Sequence, residues 1–187
     1  MRIIGGFLKR RKIDFPKTRA TRPVTDRAKE TIFNVLGTLC EGTVVLDLFA
    51  GSGSLGIEAL SRGASEASFV DSAKPACLCI FKNLEQLGLM GQAHVLQLPL
   101  FEALKKLEKQ GKKFSLIFLD PPHNKGLIKK VLHQLDHSDI VAPFSTIVIG
   151  RSNLEGLPED LKTLYLQREI KIGQTFVNWL TKAETHE

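Results

Sequence analysis

Two short stretches of this 187-residue chain carry residue types that could do chemistry. The first, VVLDLFAGSGSLG at 44–56, places Gly51, Gly53 and Gly56 in the pattern G-x-G-x-x-G, with Asp71 twenty positions after Gly51. Glycines in such a turn let the backbone come close to a ligand, and an acid at that distance can accept hydrogen bonds from ribose hydroxyls. In a dinucleotide enzyme a pyrophosphate would rest on the N-terminus of the next helix. Asp47, just before the turn, would repel that anion; a carboxylate there suits a cation. The second stretch is LIFLDPPH at 116–123, where Asp120 ends an apolar run and Pro121, Pro122 and His123 follow. Each proline fixes its own φ and biases the residue before it toward an extended form. The result is a stiff turn whose carbonyls are free to accept. A carboxylate beside such carbonyls suits an exocyclic amino group, because both can take its hydrogens.

These residues need a scaffold that brings them to one place. From residue 43 the sequence alternates short apolar runs with amphipathic patterns. Strands are expected at 44–48, 67–70, 93–98, 114–119 and 146–149, and helices at about 54–62 and around Ala76–Leu87, Phe101–Leu107 and Ile128–Leu135. Continuously apolar strands separated by helices mean a parallel sheet covered on both faces. Ligands of such a sheet bind beyond the carboxyl ends of the strands, where Asp47, Asp71 and Asp120 all fall. Stretches 164–170 and 175–180, around Gly173, read as two further strands in an antiparallel finish. Upstream, Thr25 can cap an amphipathic helix over 26–39. Residues 2–5 and 10–15 read as a small hairpin closed by Pro16, and 18–25 as a loop. The expected division is a 1–25 extension and a 26–187 core.

Charge is distributed unevenly. Residues 1–30 hold ten Lys and Arg against three acids, and the rest of the chain holds sixteen against seventeen. The excess positive charge therefore lies in the first sixth of the chain, a footprint suited to polyphosphate; a solvated arm that only aids solubility is the bland alternative. No apolar run approaches the 18 residues or so of a membrane span, and the N-terminus has no signal-peptide pattern. Three cysteines, Cys40, Cys77 and Cys79, make no disulfide framework and fit a reducing, cytoplasmic compartment. Cys77 and Cys79 have no partner at zinc spacing, so no metal site is expected.

D-x-F-x-G-x-G at 47–53 resembles motif I of class I S-adenosylmethionine-dependent methyltransferases, and Asp120-Pro121-Pro122 resembles their motif IV for amino-group substrates. The whole chain is similar to the RsmD family of bacterial 16S rRNA guanine-N2 methyltransferases. MRIIGG, TRPVTDRAKETIFNVL, VLDLFAGSGSLGIEALSRGA, LIFLDPPH and IGQTFVNWL occur in family order across essentially all of it. The resemblance implies a Rossmann-like α/β fold with a mostly parallel seven-stranded sheet, and methyl transfer from S-adenosylmethionine to guanine N2 by a monomer acting on 16S rRNA in a partly assembled small subunit. It implies that Asp47, Phe49, Ala50, Gly51, Ser52, Gly53 and Gly56 hold the methionine end, Asp71 and Ser72 the ribose, and backbone near Leu100 the adenine. Asp120 and Pro121 would aim the amine beside Pro122, His123 would cover the base, and Lys9, Arg10, Arg11, Lys12, Arg19, Arg22, Thr25 and Arg27 would hold RNA. Three positions depart from the family pattern: His123 for an aromatic ring, Pro99 for an acid, and Gly150-Arg151-Ser152 where a Glu is frequent. Alternatives are an RNA-binding assembly factor with a weakened site, a methyltransferase acting on adenine or protein glutamine, and a nicotinamide dehydrogenase.

Overall fold

The computed structural model describes residues 1–16, 24–122 and 126–183. Seven strands form a single sheet: β1 (Val44–Leu48), β2 (Glu66–Asp71), β3 (Ala93–Gln97), β4 (Phe114–Leu119), β5 (Val141–Ser152), β6 (Leu164–Ile172) and β7 (Thr175–Lys182), in spatial order 3-2-1-4-5-7-6. β1 to β5 pair in parallel, and β7 inserts antiparallel between β5 and the edge strand β6. The chain steps outward from β1 to β3, then returns to β4 on the other side of β1. That reversal opens a crevice beyond the carboxyl ends of β1 and β4.

Five helices cover the sheet: α1 (Asp26–Leu36), α2 (Ser54–Ser61), α3 (Lys74–Leu87), α4 (Leu100–Lys109) and α5 (Leu127–Asp136). Alternation along each strand sorts side chains into two cores. Val45, Phe69, Leu116, Phe118, Val148 and Val177 join Ile32, Phe33, Leu55, Ile57, Ile80 and Leu84 of α1, α2 and α3. Leu46, Leu48, Ile117, Leu119 and Ile149 join Leu104, Leu107, Ile128, Val131 and Leu135 of α4 and α5. Thr25 Oγ1 caps α1 by accepting from the Ala28 N–H at 3.1 Å, as the sequence suggests.

Three boundaries differ from the sequence reading. The helix expected to run to 39 ends at Leu36, because Gly37 turns to φ 54°; a 3-10 turn carries on to Cys40. β5 is longer than expected: Pro143 and Phe144, the latter at φ 58°, interrupt its pattern, and the pairing with β4 shifts there. The N-terminal hairpin is shorter than expected: the Ile3 N–H donates to the Arg11 carbonyl at 2.9 Å, the Arg10 N–H to the Ile3 carbonyl at 2.8 Å and the Ile13 N–H to the Met1 carbonyl at 3.0 Å. It pairs through one antiparallel bridge, Arg2 with Lys12, and is a folded strap that buries Ile3, Leu8 and Ile13 in the α1–α2–α3 core. Its backbone is fixed by Glu58 of α2. That side chain accepts from the Ile4 and Gly5 N–H groups at 3.0 and 2.7 Å and pairs with Arg62 at 3.1 Å and with fully buried Lys29 at 3.3 Å. Lys29 also donates to the Arg2 carbonyl.

Candidate active site

β1 and β4 are adjacent and parallel, with Asp47 opposite Phe118. Asp47 follows the alternation of Val45, and Asp120 that of Leu116 and Phe118, so both carboxylates lie on the α1–α2–α3 face. Asp120 stands two residues beyond the level of Asp47, about 7 Å along the strand direction. Asp71 ends β2 on the other side of β1. Three carboxylates thus converge at one edge of the sheet.

Asp47 is only 2% exposed, and its Oδ2 accepts from the Gly56 N–H at 3.0 Å. Burial pushes its carboxyl well above the usual range, the Gly56 N–H opposes this, and the charges of Asp120 and Asp71 add to the rise. Its grip on Gly56 pins the start of α2 to β1. The turn itself needs left-handed backbone at Phe49 (φ 59°), Gly51 (φ 58°) and Gly53 (φ 76°). For Phe49, a non-glycine, this costs on the order of 1 kcal/mol, held by the surrounding bonds. The Ala50 N–H reaches the Val70 carbonyl at 3.0 Å, and the Gly53 N–H the Ala50 carbonyl at 2.7 Å. Beside Gly51 there is open space: an added Cβ would meet only the Phe49 carbonyl oxygen, at 4.0 Å. At Gly56 a Cβ would lie 2.4 Å from the Phe69 ring. That glycine therefore serves close packing of α2 on β2 rather than ligand approach. Asp71 uses one oxygen for the Gly51 N–H and the other for the Ala73 N–H, both at 2.9 Å. Each oxygen keeps a further lone pair for a hydroxyl donor. Ser52 is buried and Ser72 exposed. Half-buried Leu100 opens α4 directly after Pro99, which takes the N-cap position. An acid cluster beside an open glycine turn fits a ligand group of positive charge and disfavours a pyrophosphate.

Asp120 lines a cavity of about 480 Å³ on the same face, between the start of α1, the ends of β4 and β5, and the β6–β7 turn. Its apolar walls include Val24, Ile32, Leu55, Val148 and Val177; Thr25, Arg27, Asp120 and Gln174 supply polar groups. Pro121 is buried behind Asp120 and Pro122 is exposed. Gly150 ends the wall: a Cβ there would lie 2.4 Å from Asp120 Oδ1. Asp47 does not line this cavity; it acts one layer below, on the turn.

Of the residues expected to hold RNA, Thr25 and Arg27 are in the cavity wall. Lys9, Arg10, Arg11 and Lys12 are exposed, but elsewhere. Helices of this fold run opposite to the strands, so the carboxyl ends of α2 and α3 lie at the sheet edge away from Asp120. The strap docks there: the Phe7 N–H donates to the Ser61 carbonyl at 2.9 Å, and Arg11 Nη2 to the Gln86 carbonyl at 3.0 Å. Arg19, Arg22 and His123 lie outside the described residues.

The sequence reading missed three positioning residues. Gly150 makes room for Asp120 and appeared in the sequence only as a departure. Asn83 Nδ2 donates to the Ser52 and Asp14 carbonyls, both at 3.0 Å, tying the glycine turn to the strap. Gln174 enters the cavity from the β6–β7 turn. Gln174 had a signal in IGQTFVNWL; Asn83 had none, since its partners are 31 and 69 residues away.

The family model described as Conserved hypothetical protein 95 matches residues 1–181. Bacillus subtilis YlbH is 38% identical over 177 residues, covering 95% of this chain and 96% of that protein. The Escherichia coli K12 protein named ribosomal RNA small subunit methyltransferase D is 35% identical over 174 residues, covering 93% of this chain and 86% of that one. The solved structure of Escherichia coli yhhF superposes with TM-score 0.85 at 33% identity, covering 98% of both chains. With near full-length matches to the family model and to these relatives, the chain belongs to the RsmD family of methyltransferases.

Proposed function

We propose that this protein uses S-adenosylmethionine to methylate the exocyclic N2 of a guanine in 16S rRNA of a partly assembled small ribosomal subunit. The observation that carries this reading is the Asp120 carboxylate on the wall of a cavity of about 480 Å³, roomy enough for a base, on the same sheet face and edge as the open glycine turn. Small-subunit RNA as substrate is supported by the name of the Escherichia coli relative.

The sulfonium of the cofactor supplies an electrophilic methyl group. The chain supplies position and charge. Asp47 and the 49–56 turn face the positive methionine end, Asp71 and Ser72 the ribose, and backbone at Leu100 the adenine. Guanine N2 is a poor nucleophile because its lone pair is delocalised into the ring. Asp120 and the Pro121 carbonyl accept its two hydrogens and favour a pyramidal nitrogen whose lone pair points at the methyl. As the N–C bond forms and the S–C bond breaks, the nitrogen becomes acidic and its proton passes to Asp120 and on to water. Arg27, in the same cavity wall, suits the O6 and N7 acceptors of guanine, a pair that a guanidinium reads as a fork; adenine offers a donor in place of O6.

The test is transfer of labelled methyl groups to naked 16S rRNA and to partly assembled subunits, followed by nucleoside digestion. The wild type is expected to yield N2-methylguanosine, and Asp120→Ala to fall by at least ~100-fold with cofactor binding kept. Equal incorporation by the two proteins, or label on adenine, overturns the proposal.

A further inference from the structure

The strap is built to display an aromatic ring and a set of cations at the sheet edge opposite the reacting centre. Phe7 is 68% exposed, although its neighbour Leu8 is buried at 8%. The ring is held out by a rigid backbone. The Phe7 N–H donates to the Ser61 carbonyl at 2.9 Å and the Leu8 N–H to Ser61 Oγ at 3.0 Å; that hydroxyl donates in turn to the Gly5 carbonyl at 2.6 Å. Gly6 has φ 73°, and a Cβ on it would lie 1.7 Å from the Ser61 carbonyl oxygen, so the strap sits against α2 with no room to slide. Arg10 takes φ 72° and is locked by its N–H on the Ile3 carbonyl at 2.8 Å. Lys9, Arg10, Arg11 and Lys12, which follow it in the strap, are all exposed. A disordered basic tail would need none of these bonds; a fixed ring with fixed cations is a preorganised surface.

We infer that Phe7 is a stacking platform for an unpaired base of the substrate RNA, with Lys9, Arg10 and Lys12 on the flanking phosphates. Stacking on an exposed ring accepts any base, and the cations follow the backbone. The four positive charges select RNA over the basic proteins that accompany it. The inference rests on RNA being the substrate. It adds a second point of attachment at the carboxyl end of α2, outside the Asp120 cavity, so the two together fix the register of the RNA.

The experiment measures binding of the full chain to naked 16S rRNA by fluorescence, at two salt concentrations, for wild type, Phe7→Ala and Phe7→Trp. Phe7→Ala is expected to weaken binding by roughly five- to a hundredfold with its salt dependence unchanged, because a stack and not a charge is removed. Phe7→Trp is expected to keep the affinity, and its added indole to be quenched when RNA binds. Melting temperature and S-adenosylmethionine affinity are expected to match wild type in both. Wild-type affinity in Phe7→Ala, absence of quenching in Phe7→Trp, or a Phe7→Ala defect seen with assembled subunits but not with naked RNA each overturn it, the last by assigning the ring to a protein partner. Asp120→Ala separates this from the catalytic proposal: it is expected to lose methyl transfer while its RNA binding still depends on Phe7.

Discussion

At the scale of single residues, the site is made by two acids in unlike surroundings. Asp120 shares a cavity wall with Gly150, which leaves room for its carboxylate. Gly150→Ala places a methyl group where Asp120 Oδ1 now lies, 2.4 Å from the new carbon. Gly150 has no left-handed φ, so the backbone accepts alanine and only the carboxylate must move. A displacement near 1 Å in a positioning group costs on the order of a hundredfold in turnover. The expected result is a kcat lowered about that much, with melting temperature and cofactor affinity near wild type; an unchanged kcat would refute the role of Gly150. Asp47 is different, being enclosed and bonded to the Gly56 N–H. Its carboxyl is raised by burial against that bond, with the Asp120 and Asp71 charges adding to the rise. The folded chain therefore holds this proton to higher pH than the unfolded chain does. Stability from this group is full below about 3.8, the ordinary aspartate value, and falls as pH rises through the folded-state value. Asp47→Asn keeps an acceptor for Gly56 and carries no charge. Without cofactor it is expected to melt above wild type at pH 7, with the gap closing at acid pH, and to bind S-adenosylmethionine at least tenfold more weakly. Melting curves across pH and calorimetry check both; a variant less stable than wild type at pH 7 would contradict the account.

Among the elements, the junction of α5 and β6 depends on one side chain. Asp136, at the end of α5, is 2% exposed and accepts from the Lys162, Thr163 and Leu164 N–H groups at 2.8, 2.7 and 3.0 Å, and from the Thr163 hydroxyl at 2.9 Å. Burial pushes its carboxyl up, but these donors outweigh burial and hold it below its ordinary 3.8. Its contribution to stability is present above that pH and disappears as pH falls through the lower, folded-state value. Asp136→Ala leaves the buried Leu164 N–H and the partly buried Lys162 and Thr163 N–H groups without this acceptor and is expected to cost roughly 2–4 kcal/mol in denaturant unfolding; a loss under 1 kcal/mol would rule out this junction as an anchor. Such links also explain which parts of the fold could be read from sequence. β1 and β4 were legible because both their faces are covered, which leaves continuous apolar runs. The start of β5 was not, because Pro143 and the left-handed Phe144 disguise a strand at its bulge. The strap was legible as a hairpin because its apolar residues alternate with basic ones; that it also buries Ile3, Leu8 and Ile13 against the helices was not. Asp47, Asp71 and Asp120 were legible through their places at strand ends. Asn83, Gly150 and Glu58 were not, since each acts on a residue that only the folded topology brings near.

For the whole molecule, the described cations of the first thirty residues are spread between the cavity beside Asp120 and the strap outside it. Arg27 belongs to the cavity beside Asp120; Lys12 is bridged to Arg2, which pairs with Asp26 at the start of α1 at 2.9 Å, while Phe7 and Arg11 bond the carboxyl ends of α2 and α3. None of the exposed strap cations Lys9, Arg10, Arg11 and Lys12 lines that cavity. They make a short track outside its wall. A track acts through counterion release, and removing one phosphate-binding cation lowers the salt slope by about one. The double variant Lys9→Ala, Lys12→Ala is therefore expected to bind full-length 16S rRNA more weakly, with a log–log salt slope reduced by roughly two. Its kcat on that RNA is expected to stay near wild type, since Asp120 and its cavity are untouched. On a short hairpin carrying only the target guanine, variant and wild type are expected to show equal KM. Arg27→Ala is expected to reverse the pattern, losing activity on both substrates, because the group removed lies in the wall of the Asp120 cavity. Equal penalties for the double variant on long and short RNA would mean that the strap cations act at the cavity, and the separate role of the strap would be wrong.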